Sequence, residues 1–228
     1  MTDRPLALIT GASRGIGAAI AGSLAATHDL LLGGRDVHAL EETAASLPGA
    51  HPWPVELTDA DALAAATAGI HRLDVLVHSA GISRLGRLGD VTAADWRDSY
   101  ELNVVAVAEL TRLLLPALRA TEGHVVLINS GSGLKANPGW GAYAASKFAL
   151  RAYSDVLRAE EEPNGLRVTS VHPGRTATDM QRAVREYEKG DYVPEKYMDP
   201  ASVASMVRAA VTLPRDAHVH EIVVRQPA

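Results

Sequence analysis

Short runs of apolar residues alternate along the chain with longer segments in which apolar residues recur every three or four positions. The short runs predict seven β-strands: Leu6–Thr10, Leu30–Leu32, His51–Val55, Asp74–Val77, His124–Asn129, Arg167–Val171 and Glu221–Val224. The longer segments predict the helices between them: Gly15–Thr27, Val37–Ser46, Asp59–Ala68, Ala93–Arg119, Ala142–Glu162, Ala177–Glu188 and Pro200–Val211. Because this alternation is typical of βαβ units, we predict an α/β fold with a doubly wound parallel sheet and helices on both faces.

The composition excludes several classes of protein. The 228 residues include 27 Asp and Glu against 22 Lys and Arg, a formal net charge of −5, and no long basic block is present. We therefore expect no nucleic-acid partner. The absence of cysteine excludes disulfides, cysteine-based zinc sites and a thiol nucleophile. No linker or repeat of solenoid length divides the chain, so we predict a single domain over residues 1–228.

Two segments bear on the location of the protein. Met1–Pro5 leads directly into the first predicted strand, without the basic start and longer apolar region of a secretory signal, so we expect a cytoplasmic protein. The most apolar long segment, Leu102–Leu118, is interrupted by Asn103, Glu109, Arg112 and Pro116. It is therefore predicted to be a buried helix, and we expect no membrane partner.

A glycine-rich loop follows the first predicted strand. Residues 10–17 read Thr-Gly-Ala-Ser-Arg-Gly-Ile-Gly and lead into an alanine-rich helical pattern. Glycines at such a turn let the backbone approach a pyrophosphate, and the start of the helix offers free N–H groups to it. The placement predicts a dinucleotide site, the alternative being a glycine-rich turn that binds nothing. The spacing is Gly-x₃-Gly-x-Gly rather than the commoner Gly-x-Gly-x-x-Gly.

Three residues further along the chain suggest proton-transfer chemistry. Tyr143 and Lys147 are four positions apart in a predicted helix and project from one face, where the ammonium favours ionisation of a phenol whose ordinary pKa is about 10. Ser130 ends a predicted strand, and strand ends of a parallel sheet face the ligand crevice. Its hydroxyl can hold a substrate oxygen while the tyrosine exchanges a proton. Ser132 is the rival serine, and a chance Tyr/Lys pair on an exposed helix is the alternative for the other two residues.

These motifs together resemble the short-chain dehydrogenase/reductase family, whose glycine loop reads Thr-Gly-x₃-Gly-x-Gly, and the resemblance implies a Rossmann-like fold. It further implies a catalytic set of Asn103, Ser130, Tyr143 and Lys147. In that family the tyrosine exchanges the proton, and the lysine biases its protonation and binds the nicotinamide ribose. The asparagine shapes the site and helps to hold a water linked to the lysine. The family's serine-to-tyrosine spacing favours Ser130 over Ser132.

A second part of the resemblance concerns the cofactor. Pro173–Thr178 is similar to the family's Pro-Gly turn, and Thr178 best matches the threonine that meets the nicotinamide amide. The resemblance implies that the cofactor is held by the glycine loop, the following strand ends, the Tyr/Lys pair and this turn. The residues implied are Gly11, Ser13, Arg14, Gly15, Ile16, Gly17, Arg35, Glu56, Leu57, Ser79, Ala80, Gly81, Tyr143, Lys147, Pro173, Gly174, Thr176 and Thr178.

The choice between nicotinamide cofactors depends on the end of the second predicted strand. NAD-selective folds commonly place a carboxylate there, whereas this chain reads Gly33-Gly34-Arg35. Arg14 and Arg35 are candidate ligands of a 2′-phosphate, so we expect a preference for NADPH over NADH of about tenfold to a thousandfold. One alternative is that both arginines are simple surface charges. The other is that Asp36 turns inward, binds the ribose hydroxyls and favours NADH.

The sequence departs from the family pattern at three places. His78-Ser79-Ala80-Gly81 stands where the family often has Asn-Asn-Ala-Gly. Glu56 stands where an aspartate often meets the adenine, and Ala106 replaces a frequent glycine. We interpret His78 as a structural residue rather than a proton donor.

The resulting expectation is an NADPH-dependent oxidoreductase, a carbonyl reductase acting on a small ketone or aldehyde. The alternatives are an NAD-linked alcohol dehydrogenase and a dinucleotide-sensing protein without turnover. We expect a single dinucleotide-binding and catalytic domain with a substrate lid at about residues 177–199. We expect no metal, because His218 and His220 have no clear third ligand. The resemblance implies a homodimer or homotetramer.

Overall fold

The computed structural model describes residues 4–227, and its strands carry the apolar runs of the sequence. The strands are β1 (Leu6–Thr10), β2 (Asp29–Gly34), β3 (Ala50–Pro54), β4 (Val75–His78), β5 (His124–Ile128), β6 (Arg167–Pro173) and β7 (Glu221–Val224). All pairings are parallel and the order is β3-β2-β1-β4-β5-β6-β7. This order confirms the predicted doubly wound sheet.

The helices lie between consecutive strands. They are α1 (Gly15–Leu24), α2 (Val37–Ala45), α3 (Ala60–Thr67), α4 (Ala93–Tyr100), α5 (Ala106–Arg119), α6 (Gly141–Glu161), α7 (Asp179–Tyr187) and α8 (Pro200–Val211). Side-chain caps fix several of their starts, because a capping oxygen accepts from an N–H that the first helical turn leaves unpaired. Asp36, Asp59 and Asp199 cap α2, α3 and α8, and Thr92 forms a reciprocal capping box with Asp95 at α4.

Apolar side chains fill a core on each face of the sheet. On one face, α1 and α8 pack with Ile20, Leu24 and Val207 fully buried. On the other face, α5 contributes Leu110 and Leu114, which are also fully buried. Because β4 is buried at every position, its first three residues, Val75–Val77, form an apolar run rather than an alternating pattern.

The helical segment predicted over Ala93–Arg119 is helical along its whole length, but it is not regular. A π-helical segment, Glu101–Val105, separates α4 from α5. Its wider turn carries Asn103, whose amide bonds to groups outside the helix. The predicted helix Ala177–Glu188 starts later, at Asp179, because the Thr178 hydroxyl accepts from Gln181 N as the helix cap.

The structure bears only in part on two further expectations, which concern the start of the chain and the membrane. Met1–Pro5 lies partly outside the described residues, since residues 1–3 are not among them. Within residues 4–227, no helix combines the length and apolarity that crossing a bilayer requires.

Candidate active site

A large cavity opens where the sheet order reverses. The chain leaves β1 for β2 on one side of it, and β4 lies on its other side and leads on to β5, so the connections that follow β1 and β4 run in opposite directions. Such a switch point is the usual ligand crevice of an open parallel sheet. The cavity has a volume of about 1490 Å³, which is large enough for a dinucleotide together with a small substrate.

The glycine loop is packed too closely for side chains at two of its positions. Gly11 has a φ of +68°, and a β-carbon there would lie 2.8 Å from the backbone nitrogen of Ala80. A β-carbon on Gly17 would collide with the Gly11 carbonyl. The Thr10 hydroxyl accepts from the nitrogens of Ser79 and Ala80 at 3.1 and 3.2 Å. The loops after β1 and β4 therefore form one rigid wall of the cavity.

No side chain caps the start of α1, which directly follows the glycine loop. Arg14 occupies the N-cap position in an extended conformation, makes no capping hydrogen bond, and no acidic residue lies in the first turn. The N–H groups of that turn and the positive end of the helix dipole thus remain available to an anion. Close-approach glycines beside an uncapped helix start fit a pyrophosphate.

Both arginines proposed as phosphate ligands lie on the cavity wall and are paired with carboxylates. Arg35 Nη1 is 3.5 Å from Glu56 Oε2, and Arg14 Nε is 3.6 Å from Asp179 Oδ2. Both arginines and Asp179 are largely exposed and Glu56 is partly exposed, so these pairs are weak and exchangeable. Asp36 also lines the cavity, and its carboxylate accepts from Ala39 N at 3.1 Å as the cap of α2.

Glu56 keeps its charge at the cavity rim. Partial burial alone would raise the pKa of this carboxyl, but hydrogen bonds from the Thr58 backbone and hydroxyl, with the charge of Arg35, outweigh it and lower the pKa. In this structure the Glu56 carboxylate accepts hydrogen bonds from Thr58 and Arg35. This is the position at which the family often has an aspartate.

His78 points away from the cavity. Its Nε2 lies 2.9 Å from the hydroxyl of Thr111 on α5, and that hydroxyl donates to Val107 O at 2.7 Å. Burial lowers the pKa of His78 to about 3. The side chain is therefore neutral and its contacts link β4 to α5, as the structural interpretation predicts.

Ser130 and Tyr143 meet at the floor of the cavity. The serine oxygen accepts from Ser132 N at 3.0 Å, which leaves the hydroxyl proton available. Burial raises the pKa of Tyr143, and the interaction with the nearby Ser130 hydroxyl only partly offsets that rise. We expected the ammonium of Lys147 to lower this pKa, but burial dominates and keeps the phenol protonated.

Lys147 lies beneath Tyr143 on the same face of α6. Its Nζ is 5.9 Å from the centroid of the tyrosine ring and donates to Ile128 O at 3.0 Å. The residue is 4% exposed, and burial lowers the pKa of its ammonium to about 8. No carboxylate lies within ion-pair distance of Lys147 in the part of the chain that the structure describes. The site thus holds a buried, unneutralised amine beside a protonated phenol.

Asn103 lies behind the cavity wall rather than on it. Its amide donates to Ile82 O and accepts from Ile82 N, both at 3.0 Å, and also donates to Ser146 Oγ at 3.0 Å. A β-carbon on Gly81 would lie 3.1 Å from Asn103 Oδ1 and 3.8 Å from Lys147 Nζ. The asparagine is therefore placed to position the loop after β4 against the lysine.

The cavity brings together the residues that the sequence singled out, with one exception. Every residue named above as cofactor-binding lines it, as do Ser130 and its rival Ser132, whereas Asn103 does not. Sequence reasoning missed further lining residues: Ile82, Asn129, Lys135, Arg225 and Gln226. Arg225 directly follows β7, and the position of a cation just beyond a strand end was a signal that could have identified it.

Helix α7 lines one side of the cavity, and residues 179–199, which comprise α7 and the segment after it, are called the roof. Arg175 Nη1 lies 2.8 Å from Glu188 Oε2, which ties the end of α7 to the turn after β6. On the other side, the Tyr187 hydroxyl lies 2.7 Å from the place where a β-carbon of Gly139 would be. Tyr192 and Tyr197 stack at 5.6 Å in the following segment. The roof is thus held at both rims.

Comparison with known proteins identifies the family. The sequence model described as short chain dehydrogenase matches residues 5–189. An uncharacterized short-chain type dehydrogenase/reductase of Sinorhizobium fredii is 34% identical over 220 residues, covering 94% of this chain and 88% of that protein. The chain belongs to the short-chain dehydrogenase family.

Other relatives are longer proteins. The glycine betaine reductase of Emericella nidulans is 34% identical over 236 residues, which cover 96% of this chain but 18% of that protein. Dehydrogenase/reductase SDR family member 7B of Mus musculus is 37% identical over 187 residues, covering 76% of this chain and 58% of that protein. The chain therefore spans only part of these two relatives.

Solved structures agree with the fold over nearly the whole chain. An alcohol dehydrogenase from Thermococcus sibiricus, complexed with 5-hydroxy-NADP, has a TM-score of 0.89 and 28% identity, covering 99% of this chain and 100% of that one. The actinorhodin polyketide ketoreductase with NADPH has a TM-score of 0.90 and 25% identity, covering 97% and 96%.

Proposed function

We propose that the protein is an NADP(H)-dependent oxidoreductase that reduces the carbonyl group of a small ketone or aldehyde. The observation that carries the proposal is the placement of Ser130 and Lys147 beside a buried, protonated Tyr143 in the cavity. A phenol that keeps its proton at neutral pH is a proton donor, which is the role that carbonyl reduction requires.

The cavity walls fit a nicotinamide dinucleotide carrying a 2′-phosphate. The glycine loop and the uncapped start of α1 suit a pyrophosphate. Arg14 and Arg35 supply positive charge to the cavity, and the carboxylate of Asp36 is engaged in capping α2. The NADP ligands of the alcohol dehydrogenase and the polyketide ketoreductase agree with this assignment.

Each residue then has a defined role. When bound, NADPH would supply the hydride. Tyr143 gives its hydroxyl proton to the carbonyl oxygen, and Ser130 holds that oxygen with its own hydroxyl proton. Lys147 supplies positive charge beneath Tyr143 and stabilises the phenolate that remains. Asn103 positions the Ile82 segment that forms the adjoining wall.

We also propose that α7 and the segment after it are the substrate lid, within the single catalytic domain expected from the sequence. Met180, Gln181 and Val184 of α7 line the cavity, so a closed lid would keep water from the reacting atoms. Assembly as a homodimer or homotetramer agrees with the exposed Phe148 and Val156 on α6. The cytoplasmic location stays a prediction.

The test is a pair of measurements on the purified chain. Calorimetry should give a dissociation constant for NADPH about tenfold or more below that for NADH. NADPH oxidation, followed by absorbance, should depend on an added carbonyl compound from a panel of ketones and aldehydes. Equal or tighter binding of NADH would favour the NAD-linked alcohol dehydrogenase. Tight NADPH binding without turnover of any carbonyl would favour a dinucleotide-sensing protein.

A further inference from the structure

The arginines around the cavity differ in whether a carboxylate lies close to them. Five arginines line it, and four of them lie within 4.0 Å of a carboxylate. These four are Arg14, Arg35, Arg84 and Arg175. Arg225 has no carboxylate within that distance among residues 4–227. Its charge is therefore not neutralised by the described part of the chain.

Arg225 lies directly against the turn that carries Ser130. A β-carbon on Gly131 would lie 2.7 Å from both terminal guanidinium nitrogens of Arg225. On its other side the same side chain packs along Gly174, where a β-carbon would be 3.4 Å from Arg225 Cδ. The absence of side chains at both glycines leaves room for the guanidinium between the Ser130 turn and the Pro-Gly turn.

Most of the hydrogen-bonding capacity of this guanidinium is unused. Arg225 Nη1 donates to His172 O at 3.2 Å, and this is the one hydrogen bond of its side chain within the described residues. A guanidinium has five N–H donors and its planar edge matches a carboxylate. The next residue, Gln226, bonds from its side chain to Lys196 O in the roof, which anchors the tail that carries Arg225.

We propose that Arg225 binds a carboxylate of the substrate, so that the preferred substrates are carbonyl compounds that carry a carboxylate group. This inference rests on the proposed reduction and specifies its substrate class. The carbonyl group of such a substrate is held by Ser130 and Tyr143. Its carboxylate group is held by Arg225, which lies against the turn that carries Ser130. A single guanidinium with a free edge suits a singly charged carboxylate.

The kinetic test compares acids with their uncharged esters. Acetoacetate and levulinate are paired with their methyl esters, and kcat/KM is measured with NADPH for the wild type, Arg225→Gln and Arg225→Lys. We expect the glutamine variant to lower kcat/KM for the acids by about 10- to 100-fold and to change it for the esters by less than about threefold. The lysine variant should retain part of the preference, because it keeps the charge and loses the planar edge.

Two control variants separate a local contact from a general loss of charge. Arg112→Gln removes one positive charge from the exposed face of α5, where Arg112 pairs with Glu109 outside the cavity. Lys135→Gln removes an exposed cation that lines the cavity. Neither should change the ratio of acid to ester. Loss of the acid preference in Lys135→Gln but not in Arg225→Gln would overturn the assignment.

A binding measurement makes the test independent of turnover. Calorimetry with levulinate is performed on the chain alone and on the chain with NADP⁺, where no reduction can occur. Wild type should bind levulinate about tenfold or more tightly than Arg225→Gln under at least one of these conditions. Equal binding of levulinate by wild type and Arg225→Gln would contradict the proposal. So would an equal loss of kcat/KM for acids and esters in Arg225→Gln, or a wild-type preference for the esters. If levulinate binding depends on Arg225 but no carbonyl is reduced, the anion site stands and the reductase proposal fails.

Discussion

The side-chain amide of Asn103 pairs with the backbone of Ile82 as a neighbouring strand would, donating to its carbonyl and accepting from its N–H at 3.0 Å each. The π-helical turn at Glu101–Val105 presents the amide to the loop after β4. The same amide reaches Ser146 on α6. One side chain thus joins three elements around Lys147.

Replacing Asn103 by alanine should loosen these three elements together. The Ile82 N–H and carbonyl lose their buried partners, so we expect the free energy of unfolding to fall by about 2–4 kcal/mol and kcat to fall with it. Chemical denaturation and steady-state kinetics measure both. Ser146→Ala removes one of the three bonds and should cost about 1 kcal/mol. An Asn103→Ala variant of unchanged stability would show that the pairing is not stabilising.

Lys147 should be needed for turnover while its buried charge lowers the free energy of unfolding. Burial lowers the pKa of its ammonium from 10.5 to about 8, so holding it charged at neutral pH opposes folding by on the order of 3 kcal/mol. Lys147→Met removes that cost and one hydrogen bond, and we expect it to raise the free energy of unfolding at neutral pH by about 1–3 kcal/mol while turnover is lost.

The pH dependence of that difference is a sharper measurement. Between pH 8 and 10.5 the unfolded wild type binds more protons at this lysine than the folded chain does, so wild-type stability rises with pH in that window. The advantage of Lys147→Met should therefore shrink over the same window. A methionine variant less stable than wild type at neutral pH would contradict the assignment.

Two buried histidines should make the fold sensitive to acid. Burial lowers the pKa of His78 and of His124 to about 3. The unfolded chain protonates both near pH 6.5, so the free energy of unfolding falls as the pH drops below that value, by up to about 1.4 kcal/mol per pH unit for each histidine. His124→Gln should reduce this slope in urea titrations between pH 6.5 and 4.5. An unchanged slope would mean that His124 is already protonated in the folded chain.

Arg35 should select the phosphate-bearing cofactor. Its pair with Glu56 is long and exposed, so exchanging that partner for a 2′-phosphate is inexpensive. We expect Arg35→Gln to weaken NADPH binding by about 10- to 100-fold and NADH binding by less than about threefold. Arg84→Gln, which removes an arginine paired with Asp98 on the same cavity, is the matched control. Equal weakening of both cofactors would exclude phosphate recognition by Arg35.

Much of the architecture could be predicted because its causes are local. Apolar runs of strand length, the helix periodicity and the placement of the glycine loop gave the seven-stranded sheet and the position of its crevice. Tyr143 and Lys147 share a face because they are four residues apart on α6. Ser130 was predicted to lie in the cavity because the carboxyl ends of parallel strands face the ligand crevice.

The remaining features depend on contacts between distant parts of the chain. The π-helical turn at Asn103 exists because its amide bonds to Ile82 and Ser146, which no local pattern of residues 93–119 encodes. The protonation of Tyr143 depends on how deeply the folded chain buries it. The place of Arg225 beside Gly131 follows from the pairing of β7 with β6.

The most direct test of the account is a comparison of wild type with Tyr143→Phe. Phenylalanine keeps the ring beside Trp140 and removes the one hydroxyl that donates the proton. We expect kcat/KM for carbonyl reduction to fall by about 10²–10⁴-fold while calorimetry gives an unchanged dissociation constant for NADPH. A Tyr143→Phe variant that binds NADPH normally and retains full activity would contradict the assignment of Tyr143 as the proton donor.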